Sequence, residues 1–225
     1  MLADQGEYLQ AEKKLFKAKE LSADMAEVYE ALGMVAVKTG SMKEAQTLFE
    51  KVISLQPYSV QAHLNLGRAL SDQYDLRRAL EQFSEAVRLA PSSSSAHYCR
   101  GRVLYDFSMR DEAVTELETA SHLAPQGPEI LYLLALTERQ AHNLFRSTEV
   151  LEELVALEPG HAAAQFLLGQ NLSQAGRKEE AIHHWKLAVK ADPENAQALY
   201  ALVQVLPRDK GGESGEYAER FRARA

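Results

Sequence analysis

The sequence predicts an all-α solenoid of antiparallel helix pairs, and three columns of residues with a shared 34-residue period predict it. Pro57, Pro91, Pro125, Pro159 and Pro193 form the first column, and only Pro128 and Pro207 fall outside it. Gly33, Gly67, Gly101 and Gly169 form the second, with Ala135 and Val203 standing in their turn. Ala11, Ala45, Ala79, Ala113, Ser147 and Ala181 form the third. Each is followed four residues later by a large apolar side chain: Leu15, Phe49, Phe83, Leu117, Leu151 and Trp185.

Each period reads as two amphipathic helices. In "AEVYEALGMVAVKTG", Tyr29, Leu32, Gly33 and Ala36 recur at helical spacing. In "SMKEAQTLFEKVISLQP", Ala45, Leu48, Phe49, Val52 and Leu55 do the same. Small residues at 33 and 45 let the two helices approach closely, Gly40 and Gly176 supply the turn between them, and the proline ends the second helix. On this frame residues 1–25 are an N-terminal half repeat holding the second helix "EYLQAEKKLFKAKEL", and residues 26–195 are five full repeats. Residues 196–225 hold a partial repeat, "AQALYALVQVL", a polar turn, "RDKGGESG", and a closing helix, "EYAERFRARA", expected to bury Tyr217 and Phe221. A solenoid commonly covers its open end with such an atypical helix.

The segments "YEALGMVAVKTGSMKEAQTLFEKVISLQP" and "QFLLGQNLSQAGRKEEAIHHWKLAVKADP" resemble the tetratricopeptide repeat family, and the resemblance runs from about Gly6 to Leu206. It implies a right-handed α-solenoid whose first helices line a concave groove, where peptides of partner proteins lie. The residue three before each glycine position is expected to face that groove, which gives Leu64, Tyr98, Tyr132, Phe166 and Tyr200, preceded by Glu30. Aromatic side chains are both core and interface residues, so this ladder reads equally as packing and as a row of anchors. The column just after the glycines reads Met34, Arg68, Arg102, Leu136, Gln170 and Gln204, and Asn65 and Arg139 complete the expected partner-binding set. Some family members clamp the terminal carboxylate of chaperone tails with Lys, Asn and Arg side chains. Here Glu30, Met34, Asn65, Tyr98 and Arg102 hold the matching columns, and only Asn65 and Arg102 agree. Chaperone-tail recognition is therefore not expected.

Arg68 and Asp72 are four apart, as are Arg102 and Asp106, so each arginine is expected to pair with its own aspartate. Capture of a carboxylate or phosphate by the two guanidinium forks is the alternative. Farther along, Tyr132 with Leu136, Phe166 with Gln170, and Tyr200 with Gln204 set aromatic faces beside apolar and carboxamide groups. A carboxamide both donates to and accepts from a peptide main chain, so a neutral, apolar-rich ligand is favoured there.

Other classes fit poorly. The 225 residues are 46% hydrophobic and 25% charged, with a net charge of -7, which disfavours nucleic acid or anionic membrane as partner. No run of about 18 apolar residues predicts membrane insertion, and "MLADQGEYLQ" lacks the plan of a signal peptide. No cellular compartment follows. Cys99 is the only cysteine, so no zinc cluster or redox pair can be written, and no cofactor is implied. Nucleophile-elbow, Walker, dinucleotide-binding and zincin motifs are missing, so the chain is not expected to be an enzyme. His63 and His97 share one column and read as packing residues, and His183 and His184, being adjacent, face different ways. In "SSSS", Ser92 to Ser95, the last residues are placed to cap the next helix. Arg100 stands in a column otherwise held by Leu32, Leu66, Leu134, Leu168 and Leu202, so its charge must snorkel outward or find a carboxylate.

Two further roles follow from the chain's ends and setting. A helix from about Glu7 to Leu21 without its partner would expose Leu9, Leu15 and Phe16, an apolar face suited to end-to-end self-association into a homo-oligomer or filament. The third expectation is an accessory domain of a larger enzyme or secretion protein.

Overall fold

The computed structural model describes residues 25–207 and 212–223, among which twelve helices and no strand occur. Five pairs follow one another: α1 (Ala26–Lys38) and α2 (Met42–Leu55), α3 (Val60–Asp72) and α4 (Leu76–Leu89), α5 (Ser94–Asp106) and α6 (Arg110–Leu123), α7 (Pro128–Gln140) and α8 (Leu144–Leu157), α9 (Ala162–Gln174) and α10 (Lys178–Ala191). Helices α11 (Ala196–Val205) and α12 (Glu213–Arg222) end the chain. The fold is an all-α solenoid of helix pairs. The expected half repeat and its residues Leu9, Leu15 and Phe16 lie outside the described residues. By internal packing the chain falls into two compact units, Met1–Leu123 and Ala124–Ala225, and each is described by itself.

The glycine column is a recess for the apolar side chain sixteen residues on. A Cβ at Gly33 would lie 2.6 Å from the Phe49 ring, at Gly67 2.5 Å from Phe83, and at Gly169 2.5 Å from Trp185. Phe49 and Phe83 are fully buried as a result. The fourth pair departs from this plan as its sequence does. Ser147 donates its hydroxyl to the Ala135 carbonyl at 2.8 Å, and Asn171 Nδ2 donates to Ser147 Oγ at 2.9 Å, all of it buried.

The tight turn inside each pair takes a left-handed residue. Gly40 and Gly176 sit at φ +80°, where glycine pays no Cβ penalty. Tyr74, Ser108 and His142 occupy the same column at φ 61°, 59° and 64°, which the residue types alone do not reveal.

The loops between pairs are fastened by side chains. His63 Nε2 donates to the Pro57 carbonyl at 3.1 Å, and Nδ1 sits 2.9 Å from Gln82 Oε1. His97 repeats this one period later, its Nε2 donating to the Pro91 carbonyl at 2.9 Å while Nδ1 sits 2.8 Å from Glu116 Oε2. Gln165 does so again, donating to the Pro159 carbonyl at 2.9 Å while its Oε1 accepts from His184 Nδ1 at 2.7 Å. The packing histidines are therefore clasps that hold the preceding loop to the second helix.

Glu116 also explains Arg100. Arg100 Nη1 lies 3.1 Å from Glu116 Oε1, so the cation finds a carboxylate on α6 while a third of its side chain stays exposed. Its Nε is buried without a partner. Ser93 rather than the last serines caps α5, accepting from the Ala96 amide, while Ser94 donates to the Ala120 carbonyl. The closing helix starts at Glu213, so part of the expected polar turn is helical. Phe221 packs 5.6 Å from the Tyr200 ring, Lys186 pairs with Glu213 at 2.5 Å, and Arg220 donates to the Pro193 carbonyl at 3.0 Å. Tyr217 and Phe221 end up half-buried.

Candidate partner-binding face

The first helices of the pairs differ in what they present. In the first unit, Leu64 and Asn65 on α3 are buried, at 4% and 5% exposure. Leu64 belongs to the core of that unit, and Asn65 is held internally, accepting from Gln61 at 2.8 Å and donating to Glu30 on α1 at 3.4 Å. Tyr98 and Arg102 on α5 are half-buried and Arg68 on α3 is exposed. The expected pairs of Arg68 with Asp72 and of Arg102 with Asp106 do not form. Among the described residues neither guanidinium makes a hydrogen bond or ion pair. Arg102 acts on Asp106 only through space: desolvation pushes that carboxyl above its usual value and the cation pulls the other way. Exposed ion pairs between flexible side chains gain little, so solvation prevails.

The second unit gathers four expected residues into one cleft of about 380 Å³. Phe166 and Gln170 from α9 line it together with Tyr200 and Gln204 from α11, and Trp185 and Gln197 are among the other lining residues. Trp185 is fixed by donating Nε1–H to the Phe166 carbonyl at 3.3 Å. Tyr200 remains 52% exposed although Phe221 touches it. Gln170 is oriented by its neighbour: Arg139 Nη1 donates to Gln170 Oε1 at 2.7 Å, which leaves the amide hydrogens of Gln170 to face a ligand. Tyr132 packs apart from this cleft, against the His161 ring at 5.2 Å, and Leu136 is half-buried on α7. Sequence reasoning missed Trp185 and Gln197. Trp185 is read from its column as a core side chain, and it is buried at 4% exposure, yet it also lines this cleft.

Among the described residues no three His, Cys, Asp or Glu side chains gather as a metal site, and no helix is long and apolar enough to cross a membrane. Cys99 is buried, and His183 and His184 meet edge to face rather than converging on one point.

The helix pairs, the glycine recess and the exposed face of first helices define a helical repeat protein. Models of the tetratricopeptide repeat match residues 30–94, 64–128 and 162–195, and the chain belongs to that family. No curated protein matches it. Solved structures share the fold. YrrB, described as a tetratricopeptide repeat protein with an unusual peptide-binding site, is 20% identical with a TM-score of 0.71, covering 85% of this chain and 98% of its own. MamA residues 41 to the end from Desulfovibrio magneticus RS-1 is 22% identical, with a TM-score of 0.70 and coverage of 76% and 96%. PilF of Pseudomonas aeruginosa is 18% identical, with a TM-score of 0.75 and coverage of 88% and 87%.

Proposed function

We propose that the chain is a non-catalytic protein-interaction scaffold that binds a partner peptide on the exposed face of its first helices. The observation that carries this reading is the cleft in which Phe166, Gln170, Tyr200 and Gln204 meet. Rings supply apolar area that loses water on binding, and the carboxamides pair with a peptide main chain that would otherwise be left unsatisfied. The ligand that fits is an extended or helical segment with one bulky apolar side chain and no net charge at the cleft. In the first unit, the unpaired Arg68 on α3 and Arg102 on α5 favour an acidic side chain on whatever passes them.

The test is a peptide array probed with the purified chain, repeated with Phe166→Ala and Tyr200→Ala. Both truncations remove ring area at the surface rather than core, so thermal melting should hold while apolar-anchored peptides lose at least about tenfold in affinity. Unchanged retention of those peptides by both variants would remove the cleft from the reading.

A further inference from the structure

A second cleft of about 380 Å³ lies in the same unit, between α8 and the turn from α9 to α10. Leu144, Phe145 and Thr148 form its α8 wall, and Leu172 and Ala175 form its floor. Phe145 is 75% exposed. Its column in the other four full repeats reads Lys43, Arg77, Asp111 and Glu179, charged every time. An exposed phenyl ring where the other full repeats keep a charge marks a local change of purpose.

The first repeat shows the same notch filled. Gln73 stands three periods before Ala175, as Met42 and Gln46 stand three periods before Leu144 and Thr148. There Gln73 lays its carboxamide across the notch, donating to the Met42 carbonyl at 3.4 Å and to Gln46 Oε1 at 3.2 Å. Ala175 has nothing beyond Cβ, so the notch stays open and its apolar walls stay wet.

The charge at the rim is unmatched in the same way. Glu50 receives Arg78 Nη2 at 2.8 Å. Glu152 is the counterpart of Glu50, but Glu180 stands in the place of Arg78. Arg177 is held by Glu180 through bonds of 2.7 and 2.6 Å and approaches Glu152 no closer than 3.9 Å. The Glu152 carboxylate, 52% exposed, thus lacks the close cation that its counterpart has.

We propose that this cleft docks a segment of a partner protein carrying a bulky apolar side chain within one helical turn of a lysine or arginine. The apolar group takes the place that Gln73 fills in the first repeat, and the cation takes the place of Arg78. Occupation buries the Phe145 edge and gives Glu152 a charge-assisted bond, one term of area and one of charge that neither supplies alone.

Three amidated, alanine-based helical peptides of about 12 residues test it, one with Trp and Arg four residues apart, one with Glu for the Arg, one with Ala for the Trp. Titrated into the ¹⁵N-labelled full chain, the Trp–Arg peptide should give saturable amide shifts at Thr148, Leu172 and Ala175. The Glu peptide should bind at least fivefold more weakly, and the Ala peptide should give no shifts. Ala175→Gln, which restores the plug at an exposed position, should weaken the Trp–Arg peptide at least tenfold with an unchanged melting curve. Glu152→Gln should weaken that peptide and leave the Glu peptide as it was. Shifts that are absent, equal for the three peptides, unmoved by Ala175→Gln, or centred on Phe166 and Tyr200 would overturn the proposal. So would concentration-dependent self-association that Ala175→Gln abolishes without any peptide binding, since the occupant would then be a second copy.

Discussion

Ser147 Oγ lies 2.8 Å from the Ala135 carbonyl and 2.9 Å from Asn171 Nδ2, donating to the first and accepting from the second inside a fully buried layer. The other repeats keep alanine where Ser147 stands, yet restoring that alanine is not expected to help. Among the described residues Ser147→Ala removes the one partner of Asn171 Nδ2, and Asn171 Oδ1 already has none. A cost of about 1–3 kcal/mol follows from stranding a buried donor. Adding Asn171→Val, which copies Val103 in its column, should recover most of it because both polar partners are then gone. Urea unfolding of the two variants measures this, and a neutral single variant would contradict it.

His184 gives the fold an acid sensitivity. Its imidazole titrates below the ordinary 6.5, first because burial disfavours the charged ring and then because His183 adds like charge beside it. The unfolded chain therefore takes up this proton at a higher pH than the folded one. Stability is complete above the ordinary value of 6.5 and falls as pH drops from there towards the lowered value. His184→Gln keeps a donor for Gln165 and removes the proton. The loss of urea midpoint between about pH 7.5 and about pH 5.5 should be smaller in the variant than in the parent.

Tyr74 holds a left-handed backbone at φ 61° with its side chain 89% exposed. Replacing it with glycine, as at Gly40 and Gly176, relieves a penalty of about 1–2 kcal/mol, offset in part by the freer unfolded chain. A net gain of about 0.5–1 kcal/mol is expected, visible as a higher midpoint in thermal melting. Tyr74→Ala, which keeps the Cβ, should give none of it.

Gly67→Ala should destabilise by about 1–3 kcal/mol, since the new methyl would meet the Phe83 ring at 2.5 Å. A Cβ at Gly160 would meet no neighbouring side chain within 4 Å, so Gly160→Ala is the matched control and should change stability by less than about 0.5 kcal/mol. Phe83→Leu combined with Gly67→Ala should cost less than the two single changes added together.

Period, helix pairing and the glycine recess were legible because each is a constraint repeated every 34 residues, and repetition averages out local accidents. What escaped was carried by contacts that cross between helices. Arg100 read as an anomaly because its partner, Glu116, lies on another helix and sits sixteen residues away. The histidine clasps were hidden for the same reason: His63 and His97 look like packing until the proline carbonyls six residues earlier are placed beside them. The aspartates four residues after Arg68 and Arg102 misled in the opposite sense, since correct spacing does not oblige two solvated chains to meet. The α9–α11 cleft was half legible. Its column residues were named from the repeat, while Trp185, buried in a core column, also lines the cleft, a double role that spacing does not reveal.

The clasps bear on how the chain comes apart. Pro57, Pro91, Pro159 and Pro193 each have their carbonyl secured by a side-chain donor, the last by Arg220. Leu131 occupies the donor's position after Pro125 and offers nothing, so among the described residues that carbonyl receives no side-chain bond. The Pro125 loop is then the weakest stitch in the seam: the amide proton of Gly127, bonded to the Ala124 carbonyl, should trade with deuterium sooner than those of Ser59 and Ser93, which make the same turn bond in their loops, and a nicking protease should find this bend first.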